Sequence, residues 1–366
     1  MDPRRVLQSW LLSGALLIVC MVAVGGITRL TGSGLSITQW RPVTGVLPPL
    51  TDAAWEEQFA LYRASPQFAQ TNAHFELSDF KRIFFWEYVH RLLGRLIGLF
   101  FVVPLLVFWR KKWLDRWLAR RVLVLVALGG FQGLLGWSMV KSGLVDVPAV
   151  SHYLLAAHLL TALFTGALTL WTALEVRAGR TDATPRPGTW TPLAKGALTV
   201  TGAIGVQVMF GAFVAGLRAG YIYPTFPTML GEWMPDAVGA THPLWRDLLE
   251  NPTTVQFIHR WLGFGVALAV AAWVVAAWRT PAARQAAGWL LGAVALQFTL
   301  GALTVVNFHN APVAWGTVHQ AGAVALLAAA VVALFTARQA PAAAPARAQK
   351  EAAPGDRPLS QDTRPA

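Results

Sequence analysis

Residues 83–121 read IFFWEYVHRLLGRLIGLFFVVPLLVFWRKKWLDRWLARR, and this stretch decides the class of fold. The apolar run over 83–109 is long enough to cross the hydrocarbon core of a bilayer as a helix. Six lysines and arginines follow within 110–121, a density typical of a cytoplasmic loop beside a membrane span. The stretch therefore predicts a transmembrane helix followed by a basic cytoplasmic segment.

Similar apolar runs recur along the chain of 366 residues and predict an all-α integral membrane protein. We expect eight transmembrane helices, at 10–28, 83–109, 122–140, 152–175, 193–217, 253–278, 286–306 and 314–336.

The distribution of positive charge predicts the orientation of these spans. The segments 176–195 and 279–285 hold four and two lysines or arginines, whereas 141–151 holds one and 307–313 none. By the positive-inside rule, both termini and the basic segments lie in the cytoplasm. The two long loops, 29–82 and 218–252, then lie on the outer side.

The composition excludes several classes of protein. Hydrophobic residues make up 55% of the chain and charged residues 13%, about half the share that is usual in soluble domains. A net charge of +12 does not predict nucleic-acid binding, because it comes from a scarcity of acids and not from a density of bases. The single cysteine, Cys20, excludes a disulfide within the chain and any CxxC motif.

The two halves of the chain carry matching motifs. HRLLG at 90–94 corresponds to HRWLG at 259–263, and QGLLG at 132–136 corresponds to QFTLG at 297–301. Because each half has an even number of spans, the motifs predict two parallel-repeat four-helix bundles.

The division predicted from this repeat has four parts. An N-terminal four-helix bundle spans 1–175, a cytoplasmic linker 176–192 and a C-terminal four-helix bundle 193–336, and a disordered cytoplasmic tail covers 337–366.

Four histidines, His90, His158, His259 and His319, lie inside the second, fourth, sixth and eighth spans. Each stands about six residues past the outer end of its span, roughly 10 Å into the membrane. A single histidine there would as often be a structural hydrogen-bonding residue, but four in matched positions favour function. Two histidines on facing helices suit the two axial positions of a heme iron, so we predict four iron ligands, two per bundle.

Basic residues accompany these histidines. Arg91 and Arg95 follow His90, and Arg260 follows His259. Arginine binds carboxylates in a bidentate manner, so these three residues are candidates to bind heme propionates. The alternative is that they extend to the membrane interface without binding a ligand.

Glu87 distinguishes the two halves. It precedes His90 by three residues and so lies on the same side of the helix, whereas Gln256 occupies the corresponding place before His259. A carboxylate beside a heme can transfer protons or stabilise positive charge, so Glu87, His90 and His158 form the candidate catalytic site. The alternative is a purely structural pair between Glu87 and Arg91.

Several of these stretches together resemble the heme A synthase family, in its proteobacterial and mitochondrial branch. They cover both halves of the chain and are GGITRLTGSGLSITQWRPVTGVLPP at 25–49, SDFKRIFFWEYVHRLLGRLIG at 78–98, GAFVAGLRAGYIYPTFPTM at 211–229, VQFIHRWLGF at 255–264 and HNAPVAWGTVHQ at 309–320.

The resemblance implies an oxidoreductase that converts the C8 methyl of heme O to a formyl group, giving heme A for cytochrome oxidase. It implies a resident heme b on His259 and His319, and substrate heme O at His90 and His158 with Glu87 as the catalytic acid. One branch of the family has a cysteine pair in the first outer loop, and this chain has none in 29–82. The partners expected are heme O synthase, an unidentified electron acceptor or donor, the lipid bilayer and a second copy of the chain.

Two other functions fit parts of the pattern. A bis-histidine membrane cytochrome b that only transfers electrons would explain the histidine pairs, but not Glu87. A transporter would explain the repeat, although transporter repeats are often inverted and the repeat predicted here is parallel.

Overall fold

The structure is a computed structural model that describes residues 2–41, 44–145, 147–184 and 190–339. In these residues the regular structure is helical apart from one isolated bridge between Met229 and Glu232. Eight of the described helices are long and apolar enough to cross a membrane, which confirms the predicted all-α membrane protein. They are α1 (Pro3–Leu30), α4 (Leu77–Arg110), α5 (Arg116–Ser142), α6 (His152–Arg177), α7 (Pro192–Gly216), α9 (Pro252–Trp278), α10 (Arg284–Asn307) and α11 (Pro312–Gln339).

These helices extend beyond the apolar runs because polar residues cap them. The side chains of Asp115, Ser151, Thr191 and Asn251 each accept a hydrogen bond from a backbone N–H in the first turn of a helix. Within the predicted linker, Val176 and Arg177 still belong to α6, and 185–189 lie outside the described residues. The predicted tail also lies outside them from residue 340 onward.

The eight long helices pack in two sets of four. In the first set α1 packs on α4, α4 on α5, α5 on α6 and α6 back on α1; α7, α9, α10 and α11 close a second ring in the same order. The two sets meet along α1, α6, α7 and α11. We call the end that carries 31–76 and 217–251 the loop end, and the end that carries 111–115 the basic end.

The first long loop is a folded unit, although the sequence predicted no helix in it. It contains α2 (Asp52–Arg63) and α3 (Pro66–Gln70). Phe80, at the start of α4, is fully buried, with its ring centroid 5.2 Å from that of Tyr62 and 5.3 Å from that of Phe59. This aromatic cluster fixes the loop onto the loop end of α4.

The second long loop contains α8 (Leu244–Glu250) and is held by a buried carboxylate. Asp247 accepts hydrogen bonds from the backbone N–H groups of Gly239 and Thr241 and from the side chain of Asn251, at 2.8–3.1 Å. Burial by itself would raise the pKa of Asp247, but these hydrogen bonds hold it below its ordinary value.

The basic end is held by a second buried carboxylate. Glu175, near the end of α6, pairs with Arg121 at 3.4 Å and also with Arg180. The Arg4 side chain donates to the carbonyl of Val176 at 2.8 Å, which ties the start of α1 to the end of α6.

Candidate functional site

Each of the four candidate ligand histidines lies against a glycine of a neighbouring long helix. A methyl group built on these glycines would stand 3.0–3.4 Å from the Cε1 atom of the histidine, tighter than an ordinary contact. The pairs are Gly25 with His90, Gly136 with His158, Gly211 with His259, and Gly301 with His319. Glycine is therefore needed at these positions for the imidazole ring to lie as it does.

Three of the helices that carry these histidines are each held in place by a different glutamine. Gln132, Gln207 and Gln297 each donate from Nε2 to the backbone carbonyl of the histidine opposite, at 2.9–3.1 Å. Each precedes its glycine by four residues, and α1 has Met21 at the corresponding place. Sequence reasoning noted the glutamines of α5 and α10 but missed Gln207, although the same Gln-x-x-x-Gly spacing marks it.

His259 and His319 face each other with ring centroids 6.4 Å apart and planes at 90°. Metal–imidazole bonds of about 2 Å leave room for one metal ion between two rings at this separation. The Nδ1 atom of His259 lies 3.2 Å from the carbonyl oxygen of Gln207, so it can donate there and leave Nε2 with a lone pair for a ligand bond. This pair fits the axial positions of a heme iron.

His90 and His158 form the second pair and are within electrostatic range of each other. The Nδ1 atoms of both are buried and have no hydrogen-bond partner among the described residues. The described residues contain no group of three or more histidine, cysteine or acidic side chains able to hold a metal ion. A heme brings four equatorial ligands of its own, so two imidazoles are enough to complete the coordination of its iron.

Glu87 lies in a buried hydrogen-bonded network at the loop end of α4. Its Oε2 atom accepts from the hydroxyl of Ser36 and the backbone N–H of Ile37, both at 2.7 Å. Its Oε1 atom accepts from Nε and Nη2 of Arg91, at 3.1 and 2.7 Å. The carboxylate is thus held in one position by four donors.

The structure places the predicted propionate-binding arginines against loop backbone. Arg91 donates to the carbonyls of Ile37 and Gln39, at 2.7 and 3.1 Å, and Arg95 donates to the carbonyl of Arg41 at 3.0 Å. These contacts anchor the segment that follows α1.

Arg260 acts in the same way in the second half. It donates to the carbonyls of Tyr223, Thr225 and Thr228, at 2.6, 2.6 and 3.2 Å. Gln256, with its amide oriented to satisfy both of its polar atoms, accepts from Arg260 at 3.1 Å, so it takes the place that Glu87 has beside Arg91.

The fold and these histidine pairs define a multi-pass membrane protein with paired imidazoles between its helices. Residues 8–331 match the family COX15-CtaA, described as cytochrome oxidase assembly protein. The chain is 47% identical over 323 residues to a heme A synthase of Parvibaculum lavamentivorans, covering 88% of this chain and 91% of the relative. It is 44% identical over 335 residues to a heme A synthase of Bradyrhizobium diazoefficiens, covering 90% and 91%. The chain therefore belongs to the heme A synthase family.

Proposed function

We propose that this chain converts heme O to heme A in a bacterial cell membrane. The family match and the relatives' shared name support the activity. The arrangement of the site agrees with it, because two histidine pairs provide places for two hemes, and among the described residues only the His90 pair has a carboxylate in the adjoining network.

The observation that carries the assignment of roles is the difference between Glu87 and Gln256. The two residues take corresponding places, each beside the arginine that anchors the loop of its half. A site that only transfers electrons has no need of an acid in one half alone. We therefore assign His90, His158 and Glu87 to substrate heme O, and His259 and His319 to a resident heme b.

The internal repeat is part of this proposal, and loop contacts support it. Gly32 and Arg218 both have positive φ and both precede a 3-10 helix, Ser33–Leu35 and Ala219–Tyr221. In each half, the carbonyls five and seven residues after this positive-φ residue accept hydrogen bonds from the arginine that follows the histidine, Arg91 or Arg260. Two bundles related by a parallel repeat would make these contacts at corresponding residues of the two halves.

The proposed reaction uses the site as follows. Conversion of a methyl to a formyl group with water as the oxygen source releases four protons and four electrons. Glu87 is the group that accepts or passes protons beside the substrate, and Arg91 holds its carboxylate in position. A heme b held by His259 and His319 would supply one-electron redox chemistry when bound, and an electron acceptor outside the chain would take up the four electrons.

The proposed orientation has both termini and the basic end in the cytoplasm, because 110–121 carries six positive residues. The histidine pairs then lie towards the outer side. Heme O synthase is the proposed source of substrate, and a second copy of the chain is a proposed partner.

Pigment extraction tests the activity directly. Membranes that contain the chain and a heme O source should yield heme A on chromatography, and control membranes without the chain should yield heme O alone. A chain that binds heme b but leaves heme O unchanged would instead support a bis-histidine cytochrome b that only transfers electrons.

A further inference from the structure

Arg29, at the loop end of α1, points towards the His90 side of its helix. It follows Gly25, which contacts His90, by four residues, so the two share a helix face. The residues around it contact other helices: Thr28 donates to the carbonyl of Trp86 in α4 at 3.1 Å, and Leu30 lies against Gly316 in α11. Arg29 therefore faces the space between α4 and α11, about 6 Å nearer the loop end than Gly25.

The guanidinium of Arg29 differs from those of Arg91, Arg95 and Arg260 in its contacts. Those three donate to backbone carbonyls. Arg29 is partly buried, yet its side chain makes no hydrogen bond or ion pair within the described residues. A cation at this level of a membrane protein is costly unless it is paired, so the position of Arg29 suits an anionic ligand.

The titratable neighbours of Arg29 do not supply that anion. Arg218 and Tyr221 are the groups that interact with it electrostatically, and neither is negatively charged at neutral pH. Arg218 has φ of +54°, in the left-handed region that disfavours any side chain, at the place where the first loop has Gly32. Two cations thus lie together at the loop end, and one is retained despite backbone strain.

We propose that Arg29, with Arg218 beside it, binds a carboxylate of the substrate heme, that is, a propionate of heme O held at His90 and His158. This inference rests on the proposed function. The planar guanidinium fork matches a carboxylate in a bidentate manner. Arg29 lies on the His90 side of α1 and closer to the loop end than Gly25. This position suits a heme O whose propionate-bearing edge points towards the loop end.

The test compares heme O with its dimethyl ester, in which both propionates are neutral. Purified full-length protein is titrated with each compound in the ferric state, and binding is followed by the Soret absorbance. Arg29→Gln should weaken heme O binding about 10- to 100-fold, the usual effect of losing a charged hydrogen-bond pair, and leave binding of the ester unchanged. Arg29→Lys should fall between the two, because it keeps the charge and loses the bidentate geometry.

Arg63→Gln is the matched control. Arg63 is an exposed arginine of α2 at the same end of the molecule, so this variant should bind both compounds as the unaltered protein does. Equal weakening of acid and ester by Arg29→Gln would show a general loss of structure and overturn the proposal. Loss of the resident heme b with heme O binding unchanged would assign Arg29 to the other pair and also overturn it. If the protein binds heme O more tightly than its dimethyl ester, and this preference depends on Arg29, the inference is upheld. If that same protein forms no heme A, the proposed activity alone is refuted.

Discussion

Replacing Glu87 by glutamine separates its proposed proton-transfer role from its structural role. The carboxylate accepts four hydrogen bonds of 2.7–3.1 Å, and its side chain is 3% exposed. Glutamine keeps one acceptor oxygen, which can serve either the donors of Ser36 and Ile37 or those of Arg91. Its amide nitrogen is a donor and cannot accept a hydrogen bond from the other set. We expect the variant to lose about 3 kcal/mol of stability, because Arg91 loses its counter-charge and buried donors lose their acceptor.

Glu175→Gln controls for this loss. Glu175 is also a buried carboxylate between donors, with a side chain that is 6% exposed and pairs with Arg121 and Arg180, but it lies at the opposite end of the molecule from the histidines' loop end. Both variants should therefore reduce the yield of folded protein to a similar extent. The Glu87 variant alone should slow conversion per folded molecule, by about 10²-fold or more if Glu87 is a general acid–base.

The assay measures heme A formed from heme O in purified protein, normalised to the amount of folded chain. Heme O, or a partly oxidised product, should accumulate in Glu87→Gln. If Glu87→Gln and Glu175→Gln both convert heme O at the normal rate per folded molecule, Glu87 is a structural partner of Arg91 and the catalytic assignment is refuted.

Three further predictions concern the second histidine pair and the orientation. His259→Ala should remove the resident heme b, measured as the pyridine hemochrome; full low-spin b-type absorbance in this variant would contradict the assignment. Gly211→Ala places a methyl group 3.0 Å from the His259 ring and should lower heme b content or shift its reduction potential, whereas Gly265→Ala meets nothing within 4 Å and should change neither. Identical spectra and potentials for the two variants would argue against the glycine contact. A reporter fused after Arg121 should be cytoplasmic, and a periplasmic signal would reverse the proposed topology.

The sequence determined the membrane class of this protein and the location of its candidate chemistry. An apolar run of transmembrane length is a local property, so eight spans could be counted without any tertiary information, and the described part of the chain contains eight helices of that kind. The difference between Glu87 and Gln256 was also visible, because matching motifs on either side align the two positions.

The tertiary structure decided which atoms the charged side chains contact. Arg91 and Arg260 follow their histidines directly, and sequence reasoning predicted carboxylate ligands for them. Besides Glu87 and Gln256, their acceptors among the described residues are backbone carbonyls between 32 and 54 residues away along the chain, and binding of a propionate by either arginine stays a prediction. Every residue has a backbone carbonyl whatever its side chain, so no sequence pattern could predict which carbonyls accept these hydrogen bonds.

Sequence reasoning missed Arg29 because its surroundings depend on tertiary packing. It lies beside no histidine in the sequence, and its proximity to the site results from the packing of α1 against α4 and α11. Local hydropathy and spacing determined which helices form and which residues they carry. Only the packing of those helices decided which atoms of the described residues each of these arginines contacts.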